Sequence, residues 1–129
     1  MEDSDPTTKF HGFKESLENL EFLKLSKFSF ESANVFDNVT NLLSLELVSC
    51  SNPASNSNLL DNLTNLEQLT LNNENTSDFK VKIPQTLKHL YLNYELLMDE
   101  MRVEILDNLP NLISLRIEAL EFRKRWLLS

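Results

Sequence analysis

Few side chains in this sequence have the types and spacing that chemistry needs. Cysteine occurs once, at Cys50, and histidine twice, at His11 and His89. A zinc site draws Cys and His ligands from closely spaced pairs, which these residues do not form. Asp99, Glu100 and Glu104 bring carboxylates together as acid–base catalysis requires. Their helix-surface spacing marks them instead as a solvated face. No Ser or Cys stands in a nucleophile elbow or has a base beside it in the pattern. Cys50 sits where a small buried packing residue is the ordinary choice. The basic run Arg123-Lys124-Arg125 is too short to signal a nuclear address or a phosphate contact. Three sequons occur, at Asn38, Asn62 and Asn75. Two of them come from one repeated segment, and chance covers the total in a chain this rich in Asn, Ser and Thr. The residues therefore predict no catalytic group, no metal and no cofactor.

Composition narrows the classes further. The chain has 129 residues and a formal net charge of −8. That sign disfavours binding to nucleic acid, which needs phosphates neutralised, and charge-driven docking on anionic lipid. Residues 1–6 are acidic and polar, unlike a signal peptide, and no stretch approaches the roughly 18 apolar residues of a membrane span. A lone cysteine suits a reducing compartment. The expectation is a cytoplasmic protein. Glycine occurs once, at Gly12, where average usage of roughly 7% would give about nine. One glycine cannot build a phosphate-cradling loop. Leu is in excess at 26 residues and Asn at 15.

The leucine excess is periodic. An apolar residue, two others, Leu, two others, Leu, one other, then Leu or Ile recurs five times. The copies start at Leu17, Val39, Leu63, Pro84 and Leu109. Their second apolar residues, Leu20, Leu42, Leu66, Leu87 and Leu112, are spaced by 22, 24, 21 and 25 residues. Asp37-Asn38, Asp61-Asn62 and Asp107-Asn108 precede three of the copies. In each, Leu-x-Leu reads as a short strand with both leucines on one face. The preceding apolar-x-x-Leu turns the chain into that strand. One coil of this length cannot bury its own leucines, so stacked coils share a core and their strands pair into one parallel sheet.

This pattern resembles the leucine-rich repeat family, over roughly residues 14–120. The resemblance implies an α/β solenoid: a short curved parallel sheet on the concave side, with loops and at least one helix on the convex side. It divides the chain into residues 1–16 as a polar segment or cap, 17–120 as about five repeats, and 121–129 as a tail or cap. The family's Asn/Cys position reads Phe28, Cys50, Glu74, Glu95 and Leu120, so only Cys50 fits. The family's usual Asn ladder is therefore mostly missing, and the turns after the strands must differ. The irregular spacing is more similar to intracellular F-box-type subunits than to regular receptor ectodomains. Residues 48–58 and 72–80 read as loops. Leu96, Leu97, Met101, Ile105 and Leu106 recur at helical spacing and predict one amphipathic helix over 95–108, ended before Pro110. Asn is expected to stand in for Gly where turns need positive φ.

On such a solenoid the residues between the strand leucines face the concave side. The resemblance makes them candidates for protein binding: Phe22, Lys24, Glu46, Gln68, Thr70, His89, Tyr91, Arg116 and Glu118. Phe22, His89, Tyr91 and Arg116 are the expected anchors, since aromatics and Arg dominate interface energetics. Lys24 beside Glu46 suits a cross-strand ion pair. The expected function is non-enzymatic: a module that binds a protein partner, as an adaptor or recognition subunit. The competing reading is a fragment of an extracellular or receptor ectodomain that recognises a ligand. The run Val35-Phe36-Asp37-Asn38-Val39-Thr40-Asn41-Leu42 resembles the extracellular repeats, while no signal peptide or cysteine-rich cap supports it. At the ends, Phe10 and Phe13, and Phe122, Trp126, Leu127 and Leu128, suit caps, a continuation of the coil, or self-association through open ends.

Overall fold

The computed structural model describes residues 8–51, 58–73, 81–97 and 109–122. They form a parallel-sheet β-solenoid of about four turns. Its strands are β1 (Thr8–Phe10), β2 (Phe22–Ser26), β3 (Phe28–Phe30), β4 (Ser44–Val48), β5 (Gln68–Asn73), β6 (His89–Leu97) and β7 (Ser114–Phe122). The main sheet has the order β2-β4-β5-β6-β7, every pair parallel. Each of its strands comes from one copy of the repeat, so neighbours in sequence are neighbours in space. A narrower sheet pairs β1 with β3, and the bridge from Ser29 to Ser51 carries it into the next coil.

The repeat motif works at the level of single hydrogen bonds. In all five copies the N–H of the second apolar residue donates to the carbonyl three residues earlier: Leu20 to Leu17, Leu42 to Val39, Leu66 to Leu63, Leu87 to Pro84 and Leu112 to Leu109. Each apolar-x-x-Leu is therefore a closed turn that delivers the chain into its strand. The carbonyl just before each of β2, β4, β5 and β6 then accepts two N–H groups from the following coil. Glu21 takes those of Leu43 and Ser44, and Leu43 those of Glu67 and Gln68. Glu67 takes those of Lys88 and His89, and Lys88 those of Ile113 and Ser114. This shared device sets the register of the ladder at the first residue of every strand.

The recurrent Asn in the motif serves the same stacking. Asn41 Nδ2 donates to the Glu18 carbonyl at 2.7 Å, and Asn65 Nδ2 reaches Asn41 Oδ1 at 3.4 Å. Thr86 holds that position in the fourth copy and donates to the Leu66 carbonyl at 2.7 Å. Asn111 Nδ2 donates to the Gln85 carbonyl at 3.3 Å. An amide ladder thus runs along the entrance to the strands. The preceding Asn position contributes as well. Asn38 Nδ2 donates to the Phe13 carbonyl at 2.5 Å, and Asn62 Nδ2 to Asp37 Oδ1 at 2.7 Å.

The core is the column of motif leucines. Leu42, Leu45, Leu47, Leu66, Leu69, Leu71, Leu87 and Leu92 are fully enclosed. Val35, Phe36, Leu59, Leu60 and Leu63 meet them from the far side of the coils. Burial falls off at both ends. Leu17, Leu20 and Leu23 in the first coil, and Leu112, Leu115 and Ile117 in the last, are only partly covered. An inner coil has two neighbours, and an end coil has one. At the first end Phe10 packs edge-on against Phe13, with centroids 5.2 Å apart, and against Phe28 and Phe30.

Two expectations are corrected. The helix expected over 95–108 does not begin there: β6 continues as strand to Leu97 and pairs with β7 through Tyr94↔Ala119, Leu96↔Glu121 and Leu97↔Phe122. Ladder bonds to a neighbouring strand outweigh a helical period in so short an apolar run. Residues 98–108 lie outside the described residues, and no helix occurs among those described. Among the described residues the architecture therefore consists of strands and turns. Nor does Asn take the positive-φ positions: among the described non-glycine residues these are Lys27 (φ 63°) and Ser49 (φ 54°). Both follow a strand of the main sheet. Their N–H groups donate onward to the Val48 and Asn72 carbonyls, so ladder bonds hold the strained conformation in place.

Candidate functional site

Period-two alternation in the strands sends one set of side chains into the core and the other to the open face of the main sheet. The register places the open set in three rows. The first is Phe22, Ser44, Gln68, His89 and Ser114. The second is Lys24, Glu46, Thr70, Tyr91 and Arg116. The third is Ser26, Val48, Asn72, Asn93 and Glu118. All nine candidate residues stand on this face.

They divide into two groups. Gln68, Thr70, His89, Tyr91 and Arg116 line one open depression of about 390 Å³, with Ser114, Leu69, Leu90 and Leu115. Phe22, Lys24 and Glu46 lie at the other end, up to four strand steps or about 19 Å away at ~4.8 Å per step. Lys24 Nζ stands 3.8 Å from Glu46 Oε2, a solvent-exposed pair of little energetic weight. Phe22 is 68% exposed.

Glu118 organises the depression's rim. Its Oε1 accepts the Tyr91 hydroxyl at 2.8 Å. Its Oε2 accepts both Nη2 and Nε of Arg116, at 2.7 and 3.1 Å. The Arg116 guanidinium lies 5.2 Å from the centre of the Tyr91 ring, in cation–π range. The aromatic and the cation are thus held in one arrangement before anything binds. Electrostatics follow the same bonds. Donation from Tyr91, then from Arg116, holds the Glu118 carboxyl below its ordinary range. Donation to Glu118 pushes the Tyr91 phenol up. The cluster's contribution is present above the ordinary Glu range and is lost as pH falls through the lowered Glu118 value. Replacing Glu118 with Gln is expected to bring Tyr91 ionisation to lower pH, read by near-ultraviolet titration of the two tyrosines, Tyr91 and Tyr94. An unmoved titration would show that Tyr91 and Glu118 are not bonded in solution.

His89 Nδ1 and Ser114 Oγ are 2.7 Å apart across β6 and β7. A base touching a hydroxyl is one element of nucleophilic catalysis. The mechanism further requires a group that orients the other ring nitrogen and donors for an oxyanion. Among the described residues neither stands at this pair. Sequence reasoning missed the contact, yet a signal existed: His89 and Ser114 occupy the same position in adjacent copies of the repeat. Glu118 was placed on the face, but its bonds to Tyr91 and Arg116 run between rows and follow no single register position.

Cys50 is fully buried, and its thiol points at the Leu25 and Val48 carbonyls, each 3.6 Å away. Burial pushes its pKa up, which opposes thiolate chemistry. Among the described residues no cluster of three or more His, Cys, Asp or Glu could hold a metal ion, and no helix is long and apolar enough to cross a membrane.

No protein-family model, curated protein or solved structure matches the chain. The molecule is a solenoid of parallel strands whose open face carries an ordered polar and aromatic cluster.

Proposed function

We propose that this chain is a leucine-rich-repeat module that binds a protein partner through the open face of its main sheet, without catalysing a reaction. The observation that carries the reading is the Tyr91–Arg116–Glu118 cluster at the rim of the depression. Aromatic and Arg side chains supply most hot-spot energy at interfaces. Side chains already locked lose less entropy on binding. The neighbouring Gln68, Thr70, His89 and Ser114 offer donors and acceptors to a polypeptide backbone laid across the strands. The five motif copies and their in-register pairing support the family assignment. In that family the face would be concave and the module an adaptor or recognition subunit.

The test is affinity capture with mass spectrometry on three baits in parallel. These are the unaltered chain, the double variant Tyr91→Ala/Arg116→Ala, and Asp61→Ala on the exposed turn remote from the sheet face. Partners of the unaltered chain should fall at least tenfold on the double variant, since hot-spot truncations cost about 2 kcal/mol or more. They should persist on Asp61→Ala. Thermal unfolding should be nearly unchanged in all three. Equal capture by the double variant would move the contact off this face.

A further inference from the structure

On the reading of this face as a protein-binding surface, we propose that its depression takes a carboxylate, presented by an Asp or Glu side chain of the partner. The carboxylate is an addition to that reading, which can stand without it.

Three carboxylates of this chain on or beside the face are already engaged. Glu46 Oε2 stands 3.8 Å from Lys24 Nζ, and Glu67 Oε2, one residue before β5, 3.5 Å from Lys88 Nζ. Glu118 accepts the Tyr91 hydroxyl on one oxygen and Arg116 on the other. What the depression leaves unpaired among the described residues is mostly donors. Arg116 turns Nε and Nη2 toward a single oxygen of Glu118. The end-on edge of its guanidinium, Nη1 with the second Nη2 hydrogen, is unused. Ser114 Oγ holds His89 at Nδ1. With the hydroxyl donating there, the ring carries its proton on Nε2, which has no partner among the described residues. The side chains of Gln68 and Thr70 are likewise without a hydrogen bond among the described residues.

The register fixes the scale of the site. Gln68 and His89 stand in the first row, Thr70 and Arg116 in the second, across β5, β6 and β7. Two strand steps by two residues along the strand make a patch of about 10 Å by 7 Å. That is room for the end of one side chain and the backbone that carries it. An end-on guanidinium edge meets the two oxygens of a carboxylate in parallel bonds, and such charge-assisted bonds are stronger than those between neutral groups. One cation, already shared with Glu118, suits a single negative charge better than the nearly double charge of a phosphate. The net charge of −8 repels an acidic partner at a distance. At physiological ionic strength charges more than about 8 Å apart are largely screened, so the contacts inside the depression decide.

The test titrates small probes into the full chain, labelled with nitrogen-15. The probes are N-acetyl-aspartate N-methylamide, its asparagine analogue as the neutral match, and inorganic phosphate. The aspartate probe should shift the amide signals of Gln68, Thr70, His89 and Arg116 saturably. It should bind about tenfold more tightly than the asparagine probe, since only the charged group forms charge-assisted bonds. Two substitutions at the exposed Gln68 read the sign of the site. Gln68→Lys should tighten the aspartate probe and Gln68→Glu should weaken it, each by about threefold, with circular dichroism verifying folding. No saturable shift, equal binding of the aspartate and asparagine probes, tighter binding of phosphate, or the same response to both substitutions would each overturn the proposal. The same two variants serve as capture baits beside Tyr91→Ala/Arg116→Ala. Partners lost on the double variant should be kept by Gln68→Lys and reduced on Gln68→Glu. Equal capture by the two Gln68 variants would overturn the carboxylate and leave the face as the binding surface. Partners that persist on the double variant would overturn both.

Discussion

Replacing Leu69 with Ala is expected to cost about 3 kcal/mol of folding stability and to lower the melting temperature by roughly 10 °C. Leu69 lies in β5, the middle strand of five, and is fully enclosed. Its side chain fills the space between two neighbouring coils, so truncation leaves a cavity that both coils would have to collapse into. Leu23 holds the same motif position in β2 but is only partly buried, with one neighbouring coil in the main sheet. Leu23→Ala should therefore cost about half as much, since less apolar surface leaves water and less cavity remains. Chemical denaturation of the two variants at one concentration reads the difference directly. Equal losses at the two positions would show that the ends are as enclosed as the middle.

The second large effect is expected at the single glycine. Gly12 has φ +110°, a conformation that side-chain-bearing residues rarely adopt. A Cβ added there would stand 3.2 Å from both the Cα and the carbonyl oxygen of Val35. Those are backbone atoms of a fully buried residue, and they cannot swing aside as a flexible side chain would. Gly12→Ala should cost about 2 kcal/mol: strain in the backbone plus the close contact, partly offset by a less flexible unfolded chain. The position explains the need. Gly12 lets the chain turn back between Phe10 and Phe13, whose rings then meet edge to face over the first coil. The denaturation midpoint of Gly12→Ala, compared with Ser16→Ala at an exposed neighbouring site, is the measurement. A midpoint unchanged from the parent would mean that residues 10–13 do not pack this way in solution.

Most of the solenoid is legible in the residues because the repeat states one physical requirement five times. Leu-x-Leu names the strand, its alternation names the buried face, and the apolar-x-x-Leu before it closes as the turn. The register follows from the motif spacing, so aligning the copies already sets Lys24 beside Glu46 and Tyr91 beside Arg116. The rows of the candidate site are legible for the same reason. What the alignment misses is contact between rows. Glu118 reaches diagonally to Tyr91 as well as along its own strand to Arg116, and only the lengths of the side chains decide that. The helix over 95–108 fails at its first residues for a related reason. Apolar spacing at Leu96 and Leu97 suits either period, and the neighbour β7 settles it as strand. Positive φ falls to Lys27 and Ser49 rather than to Asn, because ladder bonds that arrive from the next coil hold those positions whatever residue occupies them.

Local information thus determined the coil: which residues turn, which enter the core and which face outward, all set by hydrophobic period and chain direction. The tertiary structure decided everything that depends on a second coil being present. It made the two ends half-buried and the middle enclosed, locked an aromatic, a cation and a carboxylate into one cluster, and placed the one glycine against the backbone of Val35. These are properties of stacking, and stacking brings together residues more than twenty positions apart in the chain, at distances that no local pattern encodes.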